Sequence, residues 1–539
     1  MEREEILVIE CMSSAIMYVD EIIDRGYKAF VVNPTCGNDH LMQLKHKIQS
    51  NFESKYSKDQ YECVYADNNA QAIFDMCEGH NIICAVAGSE YGVKTIDDVA
   101  FMLGVKGNNP KTNYCRCTKL GMIESLNHAG LRAIKTARIE KKQDIVNFFN
   151  ENKLDRCFMK FSEGAGSYGN KTCSNLDDAI KYFDVIMNSK DYFGDSGGDV
   201  LAQEVIEGTE YVVNTVTCKG NHKVTDIWRY KKVTTENGDM IYDTSTLVDE
   251  ITDEIKELID YSFKVADAVG VKYGPIHGEY KIDKQGPVLI ETNCRPMGDS
   301  TTREYARDVA GNCIVDWSLD AYLDEDAFKK HSDDYHIVKN AIKKYIILKH
   351  DITGDMGSGF FSGEHLKSYH NHNDYEPVGI CAYEATKDLG NTPMILKLAH
   401  VDKEQLKHDI DLMHFIEDEF MELLVCPHPN VPAGEQPSIE DIVSGLENNT
   451  ERTLVLTNKD AYEVCDGKYC PVGDQTNPVF DNILYADCSA SLLVDKFEEM
   501  WAMFKYLKPQ GKAICSDAVA KMLPYGNDCF EILKKVANI

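Results

Sequence analysis

Residues 277–296, HGEYKIDKQGPVLIETNCRP, constrain the fold of this chain more than any other stretch. Two strand-like runs are broken at Asp-Lys-Gln-Gly, the pattern of an antiparallel hairpin. Side chains at i, i+2 and i+4 of a strand share a face. Glu291, Asn293 and Arg295 are therefore expected on one face, with Ile290 and Thr292 on the other. Glu279, on the first strand, can face Glu291. Burying two carboxylates, an amide and a guanidinium together is costly unless they are partnered. Two carboxylates and an amide oxygen form a hard-oxygen donor set of the kind that suits Mg²⁺ bridging substrate phosphates. Arg295, beyond them, can hold a phosphoryl or carboxyl oxygen in its fork.

A second feature lies upstream. KFSEGAGSYGN places Lys160 at the end of a strand, followed by Gly164, Gly166 and Gly169. Glycines let backbone N–H groups approach phosphates without a Cβ in the way. No Gly-Lys-Ser/Thr follows, so this is not a Walker A loop. The N-terminal run EILVIECMSSAIMYVDEIIDRGYKAFVVNPT reads as strand, loop, helix and strand. It is a βαβ unit of the doubly wound kind, without the GxGxxG of a dinucleotide site. Asn81–Val93 reads as a further buried strand ending in a Gly-Ser turn. A helix is expected from Thr118 to Gly130, then a strand pair in which Cys157–Phe161 is a core strand.

The chain has 539 residues, too many for one domain. Asp and Glu number 88 against 57 Lys and Arg, a net charge of −31. A field of that sign repels nucleic acid and anionic membranes, so neither is expected as a partner. No apolar run is long enough to span a bilayer, and the charged start MEREEILVIE lacks the signal-peptide pattern. The expected location is cytoplasmic. The 19 cysteines are scattered, and the close pairs Cys115/Cys117 and Cys465/Cys470 have no second pair at zinc spacing. In a reducing compartment they read as free thiols.

Taken together these residues resemble the ATP-grasp superfamily, and within it the carboxylate–amine ligases that join amino acids, such as L-amino acid ligases and carnosine synthase. The resemblance runs over about residues 5–425. It implies an α/β and α+β multidomain chain: a doubly wound α/β domain at 1–118, a small lid subdomain at 119–199 and a large subdomain with the metal site at 200–330. An appended α+β part is expected at 331–425. A linker leads to a further small α/β domain at 439–539, similar to the second half of a class I methyltransferase. By resemblance Lys119 and Lys160 are the nucleotide-binding lysines, and Gly164, Gly166 and Ser167 belong to the lid. Gln203, Glu204 and Ile206 contact adenine, and Glu210 the ribose. Glu279, Glu291 and Asn293 hold Mg²⁺, for which Mn²⁺ can substitute, and Arg295 is catalytic. The implied chemistry is ATP-dependent amide formation through an acyl phosphate. Trp228, Tyr230, His277, Asp299, Ser300, Thr301 and Arg303 are candidates for the pocket of the small-molecule amino acid and amine substrates. Packing or structural hydrogen bonding accounts for them equally well. A carrier-protein thiol or a polyamine as acceptor, a homodimer, and a nucleotide-binding regulator without turnover stay open. Cys117-Thr118, where relatives often carry Arg-Asp, and NCRPMGD, where many carry Asn-Pro-Arg, depart from the pattern.

Overall fold

The computed structural model describes residues 3–37, 39–162, 169–189, 199–235, 240–299, 301–354, 366–374, 381–419 and 424, and the backbone of five strands beyond them. It divides into two compact units. The first comprises Met1–Thr234, Gly238–Lys343 and Asp388–Gly390; the second comprises Thr235–Asn237, Lys344–Lys387 and Asn391–Ile539.

The first unit opens with β1 (Glu5–Ile9), α1 (Ile16–Asp24), β2 (Lys28–Pro34), α2 (Asp39–Lys55), β3 (Tyr61–Ala66), α3 (Ala70–Met76), β4 (Ile82–Ala87) and α4 (Glu90–Leu103). The strands are parallel, in the order β3-β2-β1-β4. A parallel sheet covered on both faces needs strands that are apolar throughout. β1 is accordingly buried along its whole length. Leu7 and Ile9 join one core, and Ile6 and Val8 join another on the opposite face with Tyr18 of α1.

Then follow α5 (Tyr114–Cys117), α6 (Lys119–His128), β5 (Thr136–Ile139), α7 (Lys142–Asn152), β6 (Cys157–Phe161), β7 (Lys171–Cys173), α8 (Leu176–Met187) and β8 (Val200–Gln203). These strands form an antiparallel sheet in the order β5-β8-β6-β7. The sequence led us to expect a strand pair here; α7 lies between β5 and β6 instead. Ile145, Phe148 and Phe149 of α7 are buried, the three- and four-residue spacing of one helical face.

The larger sheet of this unit contains β9 (Thr209–Cys218), β10 (Asn221–Thr234) and β11 (Met240–Leu247). After α9 (Asp253–Ala268) come β12 (Tyr273–Asp283) and β13 (Gly286–Asn293). They run in the order β13-β12-β9-β10-β11, with antiparallel pairing from β13 through β10 to β11. The helices α10 (Arg303–Ala310), α11 (Ile314–Leu323) and α12 (Glu325–Lys330) complete the unit, and β14 (Asn340–Tyr345) divides between the two units.

In the second unit β15 (Ile352–Gly354) pairs antiparallel with β17 (Cys381–Tyr383), and β16 (Tyr369–Asp374) pairs with β18 (Met394–His400). The helix α13 (Lys403–Glu419) buries Leu406, Ile410, Met413 and Ile416. The last described elements are β19 (Thr453–Leu456), β20 (Ala461–Cys465), β21 (Lys468–Pro471), β22 (Phe480–Tyr485) and β23 (Leu507–Cys515), in the order β21-β20-β19-β22-β23. β19, β22 and β23 are mutually parallel. Among the described residues no helix is long and apolar enough to cross a membrane.

Candidate active site

The hairpin of β12 and β13 sets Glu279 opposite Glu291 and His277 opposite Asn293. The pairing shifts by one residue just after Glu279, a bulge of the kind that re-aims side chains beside functional sites. The amide of Asn293 donates to Glu291 Oε1 at 3.4 Å. β13 ends at Asn293, so Arg295 does not extend the strand face as its spacing suggested. Its backbone N–H turns back to the carbonyl of Asn293 at 2.9 Å. Its guanidinium pairs with Glu90 and donates to the carbonyl of Pro296 at 2.9 Å.

Glu90 is the first residue of α4, directly after the carboxyl end of β4. That edge of a parallel sheet is where ligands bind in doubly wound folds. The turn between them is tight: a Cβ on Gly88 would lie 2.2 Å from the carbonyl oxygen of Glu10. Glu10 itself has φ +64°, and Ser13 has φ +52°. Side chains at such angles cost energy and cluster where the surroundings hold them in place. The buried Glu10 carboxylate accepts from the Tyr91 N–H at 2.8 Å and pairs with Lys45 at 3.2 Å.

Two lysines approach the carboxylates. Lys119 starts α6, whose cap Thr118 accepts from the Gly121 N–H at 3.0 Å. Its ammonium lies 2.9 Å from Glu291 Oε2. Lys160 is buried at the end of β6. Burial and the nearby Lys119 charge lower its pKa to about 7, against the pull of Glu291, Glu279 and Glu210. Burial would raise the Glu279 carboxyl, but the His277 hydrogen bond, with the charges of His277, Lys232 and Arg295, outweighs it and holds the group near 2. Glu279 is thus ionised over the working range.

The other expected nucleotide contacts sit nearby in sequence and space. Gln203 donates to Thr136 Oγ1 at 2.9 Å, and Glu204 accepts from the Lys135 N–H at 2.9 Å. Ile206 packs with Ile123, Ile134 and Val288. Glu210 pairs with Lys232 at 2.7 Å. Lys232, not singled out from sequence, lies 4.3 Å from the centre of the Tyr242 ring. It follows Trp228 and Tyr230 at two-residue steps on β10, the signal that would have revealed it.

The expected substrate residues divide into three groups. His277 is buried and bridges Asn214 Oδ1 (3.0 Å) and Glu279 Oε1 (3.3 Å). Asn214 donates to Asp226 at 2.6 Å, as does the Trp228 indole at 2.5 Å. Lys343 lies 3.8 Å from the centre of the Trp228 ring and pairs with the buried Asp299. Asp299 also accepts from Ser14 (3.3 Å) and Thr301 (2.5 Å). These contacts run without a break from Glu279 to Ser14, in the turn that follows β1. Tyr230 packs edge-on against Tyr242 at 5.0 Å. Arg303 is apart from this group: it pairs with Glu21 (2.6 Å) and Asp24 (2.8 Å) of α1. Gly164, Gly166, Ser167 and Ser300 lie outside the described residues.

Glu279, Glu291 and Asn293 offer oxygen donors and no thiolate, which fits a small hard divalent cation. Lys119 on Glu291 supplies the counter-charge in the protein alone.

Residues 155–304 match the sequence profile of the family described as "ATP-grasp domain". The chain carries an ATP-grasp domain. A dapdiamide A synthase of Enterobacter agglomerans is 28% identical over 233 residues, 43% of this chain and 55% of that protein. The chain thus spans about half the length of this curated relative. Solved structures share the fold. The L-amino acid ligase of Bacillus licheniformis superposes with a TM-score of 0.58 at 15% identity, over 77% of this chain and 98% of that one. The phosphoribosylglycinamide synthetase of Anaerococcus prevotii gives 0.56 at 13%, over 76% and 98%. The ATP-grasp fold, preceded by an α/β domain, is therefore that of this protein.

Proposed function

We propose that this protein is an ATP-dependent carboxylate–amine ligase that forms an amide bond through an acyl phosphate, releasing ADP and phosphate. The observation that carries the reading is the convergence of Glu279, Glu291, Lys119 and Arg295 on one end of the hairpin, beside the carboxyl edge of the parallel sheet. The relative's name, a dapdiamide synthase, and that of the L-amino acid ligase support an amino acid or a related carboxylate as substrate.

A carboxylate is a poor electrophile, and phosphorylation makes its carbonyl reactive. The transferring phosphoryl needs charge neutralisation and in-line placement more than covalent help. Glu279, Glu291 and Asn293 would hold Mg²⁺, which when bound neutralises phosphate charge. Lys119 and Lys160 bind the phosphates. A phosphate beside Lys160 favours its charged form, so the lysine gains a proton as the nucleotide arrives. Gln203, Glu204 and Ile206 hold the adenine, and Glu210 the ribose. Arg295, oriented by Glu90, offers paired donors to the acyl phosphate and to the oxyanion formed when the amine attacks. The connected residues from His277 through Trp228 to Asp299 are the candidates for holding the amino acid and amine.

A matrix of amino acids and amines, scored for ADP and phosphate and then by mass spectrometry for the amide, tests this reading. Acid-dependent ADP formation with an amide product is expected. ADP formation that no acid stimulates would overturn it.

A further inference from the structure

Cys157 and Cys173 stand directly opposite each other on β6 and β7. Both are fully buried and both are free thiols. Opposed residues on antiparallel strands have Cα atoms about 4.5 or 5.5 Å apart, and both spacings lie inside the window for a disulfide. Among the described strand ladders no other two cysteines are opposed. The pair brackets the segment that contains Lys160 and the glycine-rich run 162–170.

We propose that Cys157 and Cys173 are a site of reversible oxidative modification, closing to a cross-strand disulfide under peroxide. The two groups differ in a way that suits the chemistry. The neighbouring Cys157 thiol lowers Cys173, and the neighbouring Cys173 thiol together with burial raises Cys157. Cys173 is therefore the first to ionise. Its thiolate attacks one oxygen of hydrogen peroxide, giving a sulfenic acid and, after protonation, a water. The Cys157 sulfur then displaces the sulfenic oxygen, which leaves as a second water. Two S–H bonds are lost and one S–S bond forms; the peroxide takes up both electrons and both protons. The bond would fix β6 to β7 at Cys157. Lys160 is three residues along β6 from Cys157, so the cross-link would constrain the strand that carries it. This last consequence rests on the proposed nucleotide role of Lys160.

The full-length protein is titrated with hydrogen peroxide, quenched, alkylated under denaturing conditions and mapped by peptide mass. The expected result is a linked peptide joining Cys157 to Cys173, lost on treatment with dithiothreitol and absent from Cys157→Ser. Its absence at peroxide levels that already oxidise the part-exposed Cys115 would overturn the proposal, as would linkage of other cysteines in its place. Calorimetric titration with ATP is run on the same samples. Several-fold weaker binding after oxidation, restored by dithiothreitol and not seen in Cys157→Ser, is expected. Unchanged affinity with the bond formed would overturn the coupling to Lys160. No ATP binding in the reduced protein would instead count against the nucleotide reading.

Discussion

Arg295 owes its position to a residue 205 places away. Its spacing from Glu291 and Asn293 suggested a shared strand face, but the strand stops two residues earlier and Glu90 takes the guanidinium. Nothing local in the sequence marks that pairing, because it forms only when the hairpin meets the edge of the N-terminal sheet. The Glu279–Glu291 opposition was readable, since a tight turn fixes the register of the strands it joins. Arg295→Lys removes the paired donors, so kcat should fall by about 10²–10³. ATP affinity by calorimetry should stay within a few fold; a collapse of binding with normal turnover at saturating ATP would make Arg295 a nucleotide contact. Glu291→Gln should abolish ADP formation while circular dichroism and melting stay near those of the parent, because it removes a charged oxygen donor. Near-parent ADP formation would sink the metal assignment.

Lys160 gives a pH prediction at the same scale. Its folded pKa, about 7, lies below the ordinary 10.5. Between those values the unfolded chain holds a proton that the folded protein lacks, so this group makes stability rise with pH from about 7 to 10.5. Below pH 7 both states are protonated and the full cost of the buried charge is present. Bound phosphate favours the charged lysine, so nucleotide binding near pH 8 should take up close to one proton. Calorimetry in two buffers of different ionisation enthalpy measures this, and zero uptake would contradict it.

At the scale of elements, the helix α6 delivers Lys119 from its first turn. Thr118 caps it, and the loss of such a cap costs about 1 kcal/mol. Thr118→Ala should therefore lower stability by about that amount in urea melts. It should also raise KM for ATP, because Lys119 loses its fixed start. A Thr118→Ala protein with unchanged KM would separate the cap from the site. The helices α7 and α8 are hard to see in the sequence for a physical reason. Each buries only three residues, too few to stand out among the polar positions around them. The buried strands of the N-terminal sheet were plain by contrast, because both faces are covered and every position must be apolar.

At the scale of the whole molecule, every candidate residue from Glu10 to Lys343 falls within the first unit. ATP with Mg²⁺ should stabilise that unit by mass action, by about 2.7 kcal/mol at a hundred times the dissociation constant, and raise its melting temperature accordingly. With a net charge of −31, the proposed nucleotide-binding lysines would serve to draw an anionic nucleotide toward an otherwise acidic chain. In the proposed reaction a carboxylate oxygen is phosphorylated and leaves with the phosphate. This is tested most directly by supplying an amino acid labelled with oxygen-18 in its carboxylate, once the screen has found one. The account predicts one labelled oxygen in the phosphate released for each amide formed, together with ADP. Phosphate free of label, or AMP and pyrophosphate in place of ADP and phosphate, would contradict it.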